Sequence, residues 1–378
     1  MQQTGFKISV LVITHNPRMD LLQWGLDSLD AQTMDKSEWE VVVVDNASPT
    51  PLDEQALQGG RTFNLRLLRE PRLGLSWGRY CGIQNTQSPL MVFLDDDNWF
   101  YPDYLEEAWR LHQSDPRMGA FGGIAEAALE KPIQPWMECV LPLLGIRNMG
   151  TAPLFSDNKR RCGRAEPIGA GMVFPRTVGS QYISFLDGDS RAALLDRKGD
   201  SLASSGDTFL ARLSYDLGLC CAYHPALKIK HFMKAGRLNG RYMLKLASAM
   251  GRSAAMAERL LDGETRDGCG GVAEYELLFA ILRRYRNRVR GRGRGEYVLW
   301  TLWTNQRLET AGIKRPMADF LKLRKTRGYA RFWPGRNMVQ KARDAFDWTK
   351  HQLGRVRRAP RKIAAWMGGG DKMRHPNP

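Results

Sequence analysis

The stretch from Leu90 to Asn98 reads LMVFLDDDN, so that five consecutive apolar residues run directly into three aspartates. A short apolar run that ends in polar residues predicts a strand buried on both faces. Lys7–Thr14 (KISVLVIT) and Trp39–Val44 (WEVVVV) have the same form, and Phe63–Leu68 is a weaker run. Apolar residues at helical spacing over Met19–Ala31 separate the first two runs. The pattern predicts an α/β doubly wound domain, with a mostly parallel sheet and flanking helices.

Three of these predicted strands end in polar side chains. They are Thr14, His15 and Asn16 after the first strand, Asp45 after the second, and Asp95, Asp96 and Asp97 after the fourth. In open α/β sheets, ligands bind outside the carboxyl ends of the strands. Neither a GxGxxG nor a Walker motif follows the first strand, so the sequence predicts neither a dinucleotide site nor a P-loop.

The three consecutive aspartates indicate a cation site. Like charges this close repel one another unless a cation neutralises them. In an extended chain Asp95 and Asp97 project to the same side, and two carboxylates with two phosphates suit a magnesium- or manganese-type ion. Alternatively, Asn98 caps a helix over residues 99–114, whose dipole the aspartates favour. On these residues alone both interpretations stay open.

The order of the motifs along the chain is more specific than any one of them. The segments are VLVITHN, VVVVDNAS, GRYCGI, FLDDDN, YPDYL, IGAGMVF, DRKGDSLASSGDTFLARL and YHPALKIKH. Over residues 7–233 this series resembles the family 2 glycosyltransferases of the GT-A fold. The resemblance implies an inverting, metal-dependent transfer of a sugar from a nucleotide-diphosphate-sugar, with a UDP-sugar as the expected donor. The expected acceptor is a glycan or a lipid-linked hydroxyl, as in polysaccharide biosynthesis.

The resemblance also implies roles for individual residues. Asp45 would hydrogen-bond the nucleobase, with the turn Thr14–Asn16 lining the same pocket, and Arg79 would lie beside the base and the diphosphate. Asp95 and Asp96 belong to the donor side, where Asp95 would face the ribose. The metal ligands would be Asp97 and His231, and the cofactor Mn²⁺ or Mg²⁺.

Asp207 stands where the family places its catalytic base. A transferase of this type needs a carboxylate near the acceptor hydroxyl. The family usually has an acid before the base, and here that residue is Gly206. Asp207 could instead cap the helix that begins near Ser205. On the acceptor side we expect Trp99, Trp136 and Gly171, although aromatic residues at apolar positions more often belong to the core.

The positive charge lies in the last quarter of the chain. Of the net charge of +16, residues 281–378 contribute 26 Lys+Arg against 6 Asp+Glu, so that residues 1–280 have a net charge of −4. The sequence therefore predicts a catalytic domain over residues 1–235 and a basic, mainly helical region with a disordered tail over residues 236–378. We expect this region to contact the anionic face of a membrane, on the cytoplasmic side.

Two alternatives to an active enzyme remain. The basic region also contains Trp300, Trp303, Trp333 and Trp348, and basic residues with aromatic ones suit single-stranded nucleic acid. We expect no nucleic-acid partner, because the chain has no RRM, KH or zinc-finger pattern. The second alternative is a degenerate transferase that binds donor without turnover, since Gly206 breaks the acidic pair. No apolar run is long enough to span a membrane and no secretory signal is seen, which predicts a cytoplasmic protein.

Overall fold

The fold is given by a computed structural model that describes residues 5–133, 141–157 and 165–262. The helices in these ranges alternate with strands along the chain. They are α1 (Met19–Asp30), α2 (Glu54–Gln58), α3 (Leu75–Gln84), α4 (Tyr104–Ser114), α5 (Arg176–Gly188), α6 (Gly206–Asp216) and α7 (Gly240–Asp262), with short 3₁₀ helices at Ser190–Leu195 and Ala235–Arg237.

The strands form one mixed sheet. They are β1 (Ile8–Thr14), β2 (Trp39–Asn46), β3 (Asn64–Glu70), β4 (Leu90–Asp95), β5 (Asn98–Phe100), β6 (Met118–Leu129), β7 (Leu154–Ser156), β8 (Val173–Pro175) and β9 (Cys220–Met233). Their order is β3-β2-β1-β4-β8-β6-β9-β5, with β7 also paired to β9. The first four strands are parallel, whereas β8 runs antiparallel to both of its neighbours. The predicted α/β class is confirmed for the described residues.

Alternate residues of the central strands enter two cores, one on each face of the sheet. On one face Val10 of β1 and Val41 of β2 pack with apolar residues of α1, α2 and α4. On the other face Leu11 and Val42 pack with those of α3, α5 and α6. Because both faces are covered, these strands need apolar residues at every position, which explains the continuous runs in the sequence.

The register brings the polar strand ends to one edge. Thr14 pairs with Asp45 across β1 and β2, and Ile13 pairs with Asp95 across β1 and β4. The parallel strands therefore end at the same level, as their sequence predicts. This edge carries the candidate site.

The strand β5 replaces the helix that was one interpretation of the residues after the aspartates. Asn98 begins β5 and pairs with His231 of β9, and α4 begins only at Tyr104. The capping interpretation of Asn98 is therefore wrong. Pro102, two residues before Tyr104, restricts the residue before it to extended backbone, which favours a late helix start.

The chain divides into two compact units. One consists of Met1–Ala235 with Met256–Glu264, and the other of Gly236–Ala255 with Thr265–Pro378. The helix α7 lies in the region over residues 236–378 that was predicted to be mainly helical. The predicted helical and tail segments beyond residue 262 lie outside the described residues, and the domain boundary at residue 235 stays a prediction. Within the described ranges, no helix has both the length and the apolar character needed to cross a membrane.

Candidate active site

Asp45 at the end of β2 organises the loop that follows it. Its carboxylate accepts hydrogen bonds from the backbone N–H groups of Ser48 (3.0 Å) and Leu52 (3.1 Å), and it forms an ion pair with Arg69. Burial alone would raise the pKa of Asp45, but these hydrogen bonds outweigh burial and hold the pKa below its usual value. Asp45 is therefore a fixed anion that shapes the predicted nucleobase pocket.

The turn after β1 is tied to the same loop. His15 Nδ1 lies 2.8 Å from the carbonyl oxygen of Asn46, and the backbone N–H of Asn16 donates to Ser48 Oγ at 2.8 Å. Asn16 has a φ of 48°, in the left-handed region that asparagine tolerates better than most residues. His15 and Asn16 are exposed at the sheet edge, where a ligand can reach them.

The three aspartates do not continue the strand as the alternation argument assumed. β4 ends at Asp95, and Asp96 and Asp97 form a turn before β5. The Thr14 hydroxyl donates a hydrogen bond to Asp96, which joins the ends of β1 and β4. Burial and then Asp97 raise the pKa of Asp96 to about 6, and they also raise the pKa of Asp95. The carboxylates thus form one coupled acidic cluster.

Asp97 meets His231 at the centre of this edge. His231 Nε2 lies 3.5 Å from Asp97 Oδ1, and both side chains are buried. The pairing of β5 with β9 sets this distance, since Phe232 N–H donates to the carbonyl oxygen of Asp97 at 2.8 Å. His231 Nδ1 is buried and has no hydrogen-bond partner among the described residues. The structure therefore brings the two predicted metal ligands together.

The side chains of Asp97 and His231 are suitable ligands for a divalent cation that also binds a substrate. Carboxylate oxygen and imidazole nitrogen both ligate manganese-type ions. Because no hydrogen bond from the described residues to Nδ1 of His231 fixes the tautomer, Nε2 can carry the lone pair that a metal ion needs. Within the described ranges, no three or more His, Cys, Asp or Glu side chains are grouped so that they could hold a metal ion. Asp97 and His231 are the side chains that would hold the ion predicted from the sequence.

Arg79 lies near Asp95 of the acidic cluster. It is on α3, and its Nη1 donates to Asp196 Oδ2 at 2.9 Å, with both side chains buried. Burial would lower the pKa of Arg79, but Asp196 and the nearby acids Asp207 and Asp95 raise it. The guanidinium is therefore a permanent cation between several carboxylates.

Asp207 lies in the first turn of α6 and faces Arg79 across a glycine. Its Oδ2 accepts from the backbone N–H of Gly169 at 2.9 Å, and its Oδ1 accepts from Thr208 N–H at 2.7 Å. The residue before the helix is Ser205, so Asp207 is not the helix cap. Burial raises the pKa of Asp207, Arg79 lowers it, and the net direction is upward. A half-buried carboxylate of raised pKa is suited to accept a proton.

The predicted acceptor residues do not form one group. Trp99 packs edge-on against Trp24, with ring centroids 5.9 Å apart, and lies on β5 at the position next to the His231 pair. Gly171 accepts a hydrogen bond from the Tyr104 hydroxyl and packs on Ile229, within the core. Trp136 lies outside the described residues. The assignment of these three residues to the acceptor stays a prediction.

Two residues at the site were missed by sequence reasoning. Gly169 approaches Arg79 so closely that a Cβ there would lie 2.7 Å from Arg79 Nη2. Of the GAG sequence at 169–171, only Gly171 was predicted as a site residue. Asp196 opens the segment DRKGDSLASSGDTF, and nothing in its spacing from Asp207 predicts the contact with Arg79.

Residues 9–176 match the sequence profile described as glycosyl transferase family 2. These residues belong to glycosyl transferase family 2. The predicted resemblance is thereby confirmed, and the family 2 segment contains Thr14, Asp45, Arg79 and the acidic cluster.

Curated relatives match parts of this chain. EpsH of Bacillus subtilis, whose name assigns it provisionally to the glycosyltransferases, is 31% identical over 107 residues. The glycosyltransferase AglE of Haloferax volcanii is 33% identical over 101 residues, and an uncharacterized glycosyltransferase of Haemophilus influenzae is 23% identical over 161 residues. These matches cover 27%, 26% and 40% of this chain, and 29%, 33% and 53% of the relatives.

Two solved structures are distantly similar to the chain. The crystal structure of TarS from S. aureus aligns over 81% of this chain and 54% of its own, with 15% identity and a TM-score of 0.40. The crystal structure of GalNAc-T7 with UDP, GalNAc and Mn²⁺ aligns over 68% of this chain and 51% of its own, with 14% identity and a TM-score of 0.43.

Proposed function

We propose that the protein is a metal-dependent glycosyltransferase that moves a sugar from a nucleotide-diphosphate-sugar to an acceptor hydroxyl. One observation carries the proposal. Within a family 2 segment and the residues after it, the fold gathers Asp97, His231, Arg79 and Asp207 at the carboxyl edge of the sheet. These side chains supply the metal ligands, the cation and the base that such a transfer requires.

The nucleotide half of the donor would occupy the loops after β1 and β2. His15 and Asn16 are exposed there, and the Asp45 hydrogen bonds hold the second loop in place. A loop that is already fixed loses less conformational entropy when a ligand binds. A carboxylate such as that of Asp45 suits the single ring N–H of a uracil base, which supports a UDP-sugar as the first donor to test.

The diphosphate would lie between the acidic cluster and Arg79. Asp97 and His231 would hold a divalent ion there, which would supply Lewis-acid chemistry and charge neutralisation for the leaving group. Arg79 would add a second positive charge, opposite the ion, and hold the diphosphate in position. Since both charges are fixed before the reaction, they stabilise the developing charge without reorganisation.

Asp207 would take the acceptor proton. Its carboxylate is held by Gly169 N–H at 2.9 Å on the side of Arg79 and is half-buried, so that its orientation is set while solvent access is reduced. As the acceptor oxygen attacks the anomeric carbon, the bond to the diphosphate breaks and the proton passes to Asp207. Attack opposite the leaving group gives inversion, the outcome that the family resemblance implies.

The test is the substitution Asp207→Asn, which keeps the shape of the side chain and removes its charge. Donor affinity, measured by titration calorimetry, should stay within about threefold, while sugar transfer falls by about 10²-fold or more, the scale of a lost general base. The exposed Asp200 of the preceding loop gives the matched control, Asp200→Asn, with unchanged turnover. Turnover of Asp207→Asn near that of the wild type would assign the base to another residue.

A further inference from the structure

Gly206 leaves a space at the start of α6 that another residue fills. A Cβ built at Gly206 would lie 2.0 Å from Oδ2 and 2.3 Å from Cγ of Asp196. Real Cβ atoms essentially never come this close to a neighbour, so position 206 admits no side chain while Asp196 is present. The Asp196 carboxylate thus sits directly beside the residue that precedes the proposed base.

The Asp196 carboxylate is buried and hydrogen-bonded from two sides. It follows the 3₁₀ helix Ser190–Leu195 and is 4% exposed. Its Oδ2 accepts from Ser76 Oγ and from Arg79 Nη1, both at 2.9 Å. The backbone strengthens the connection, since Leu75 N–H at the start of α3 donates to the carbonyl oxygen of Arg197 at 3.0 Å. Asp196 is therefore fixed relative to α3, the helix that carries Arg79.

Arg79 connects Asp196 to the proposed base. Its Nη1 is bound by Asp196, while its Nη2 faces Gly169, whose N–H donates to Asp207 at 2.9 Å. Gly169 lies against both residues, because a Cβ there would be 2.7 Å from Arg79 Nη2 and 3.3 Å from Asp207 Cβ. The order across the site is therefore Asp196, Arg79, Gly169 and Asp207.

We propose that Asp196 is a positioning residue for the transfer, which holds the Arg79 guanidinium against Gly169 and thereby sets the surroundings of Asp207. Gly206 is part of the same arrangement of residues, because only a glycine leaves room for the Asp196 carboxylate at this helix start. The inference rests on the proposed function, in which Asp207 is the base and Arg79 binds the diphosphate.

The charges of Asp196, Arg79 and Asp207 agree with a positioning role for Asp196. Arg79 lowers the pKa of Asp207 and Asp196 raises it, so the Asp196 anion offsets the cation that would otherwise weaken the base. A buried arginine without its carboxylate partner would also carry an uncompensated charge, which is costly. Asp196 therefore serves both the placement of Arg79 and the basicity of Asp207.

The experiment uses the full chain, four test variants and one control variant. Asp196→Asn removes the charge and keeps a hydrogen-bond acceptor, and Asp196→Ala removes both. Gly206→Asp adds a carboxylate that clashes with Asp196, whereas the double variant Asp196→Ala/Gly206→Asp places one carboxylate in the same space from the opposite side. Asp200→Asn, in the same loop and exposed, is the control. Each protein is measured for kcat, donor KM and Tm.

We expect Asp196→Asn to lower kcat by about tenfold or more with donor KM within about threefold, because a neutral amide holds the Arg79 guanidinium less firmly and no longer offsets its effect on Asp207. The double variant should exceed Asp196→Ala in kcat by at least about tenfold. A kcat within threefold of the wild type for Asp196→Asn overturns the inference. So does a loss confined to KM, or a double variant that folds but stays at the Asp196→Ala rate.

The Tm values separate this inference from the proposed function. If the wild type releases no nucleotide from any donor, the proposed function fails, and the placement of Asp196 is judged on stability alone. Gly206→Asp should lower Tm when Asp196 is present and raise it in the Asp196→Ala background, where it restores a partner to Arg79. The same sign in both backgrounds contradicts the placement.

Discussion

Asp97 is the residue on which the proposed metal requirement depends. It lies 3.5 Å from His231 Nε2, and it raises the pKa values of both neighbouring aspartates. Three carboxylates in one turn repel one another, and a bound cation relieves that repulsion. The proposed ion would bind at this residue and relieve the repulsion within the cluster.

The substitution Asp97→Ala should reduce sugar transfer by about 10²-fold or more, since the ion loses its carboxylate ligand. Chelation of the wild type should cause the same loss, and added Mn²⁺ should reverse it. The exposed Asp103 offers a control, because Asp103→Ala should leave turnover unchanged. Full activity in excess chelator would remove the metal from the mechanism.

Single residues show where sequence reasoning reaches its limit. Asp97, His231, Arg79 and Asp207 were predicted, because ordered motifs carry them and the strand register follows from apolar runs. Asp196 could not be predicted, since its contact with Arg79 depends on how a 3₁₀ helix packs against α3. Such a contact between distant segments leaves no periodicity in the sequence.

At the scale of elements, the pair β6 and β9 carries His231 to the site. The pairing contains a register shift between Gly122 and Ile124, and Gly123 lies at this irregularity. A Cβ at Gly123 would lie 2.0 Å from the carbonyl oxygen of Leu227 and 2.5 Å from that of His224. Both contacts are with backbone, which cannot move aside as a side chain can.

Gly123→Ala should therefore lower the free energy of unfolding by about 1–3 kcal/mol, the usual cost of an overpacked site. Gly60 provides the matched control, because a Cβ there meets nothing within 4 Å, and Gly60→Ala should stay within about 0.5 kcal/mol. Denaturant unfolding of both variants measures the difference. Equal stability of the two variants would contradict the prediction, because it would mean that β6 and β9 can move apart at Gly123 at little cost in free energy.

The elements themselves were predicted to different extents. The runs that became β1, β2 and β4 were clear, because burial on both faces demands apolar residues throughout. The strands in the second half of the sheet were not clear in the sequence, since β8 has only three residues and the short β7 pairs with β9 alone among the described strands. Short strands between distant partners depend on tertiary packing more than on local pattern.

The charge of the whole molecule is unevenly distributed. Residues 281–378 carry a net charge of +20 and residues 1–280 a net charge of −4. A field of this kind attracts any polyanion, so charge alone does not choose between a membrane and a nucleic acid. The predicted partner is the anionic membrane surface, and this prediction concerns residues outside those that the structure describes.

The full chain should cosediment with vesicles rich in anionic lipid, not with neutral vesicles, and should be released as salt rises. Replacing Arg290, Arg292 and Arg294 together by glutamine should weaken binding by about 3 kcal/mol, at about 1 kcal/mol for each residue near the surface. Single-stranded nucleic acid is the competitor. Displacement by nucleic acid beyond what its charge explains would assign the basic region to that partner instead.

The central claim is that this chain splits a nucleotide-sugar at the edge defined by Asp97, Arg79 and Asp207. The most direct measurement is nucleotide release by the full chain over a panel of nucleotide-sugars with Mn²⁺ present, beside Asp207→Asn and Asp200→Asn. The predicted result is release from one class of donor by the wild type and Asp200→Asn, reduced by about 10²-fold or more in Asp207→Asn. No release from any donor, or equal release by all three proteins, would contradict the claim.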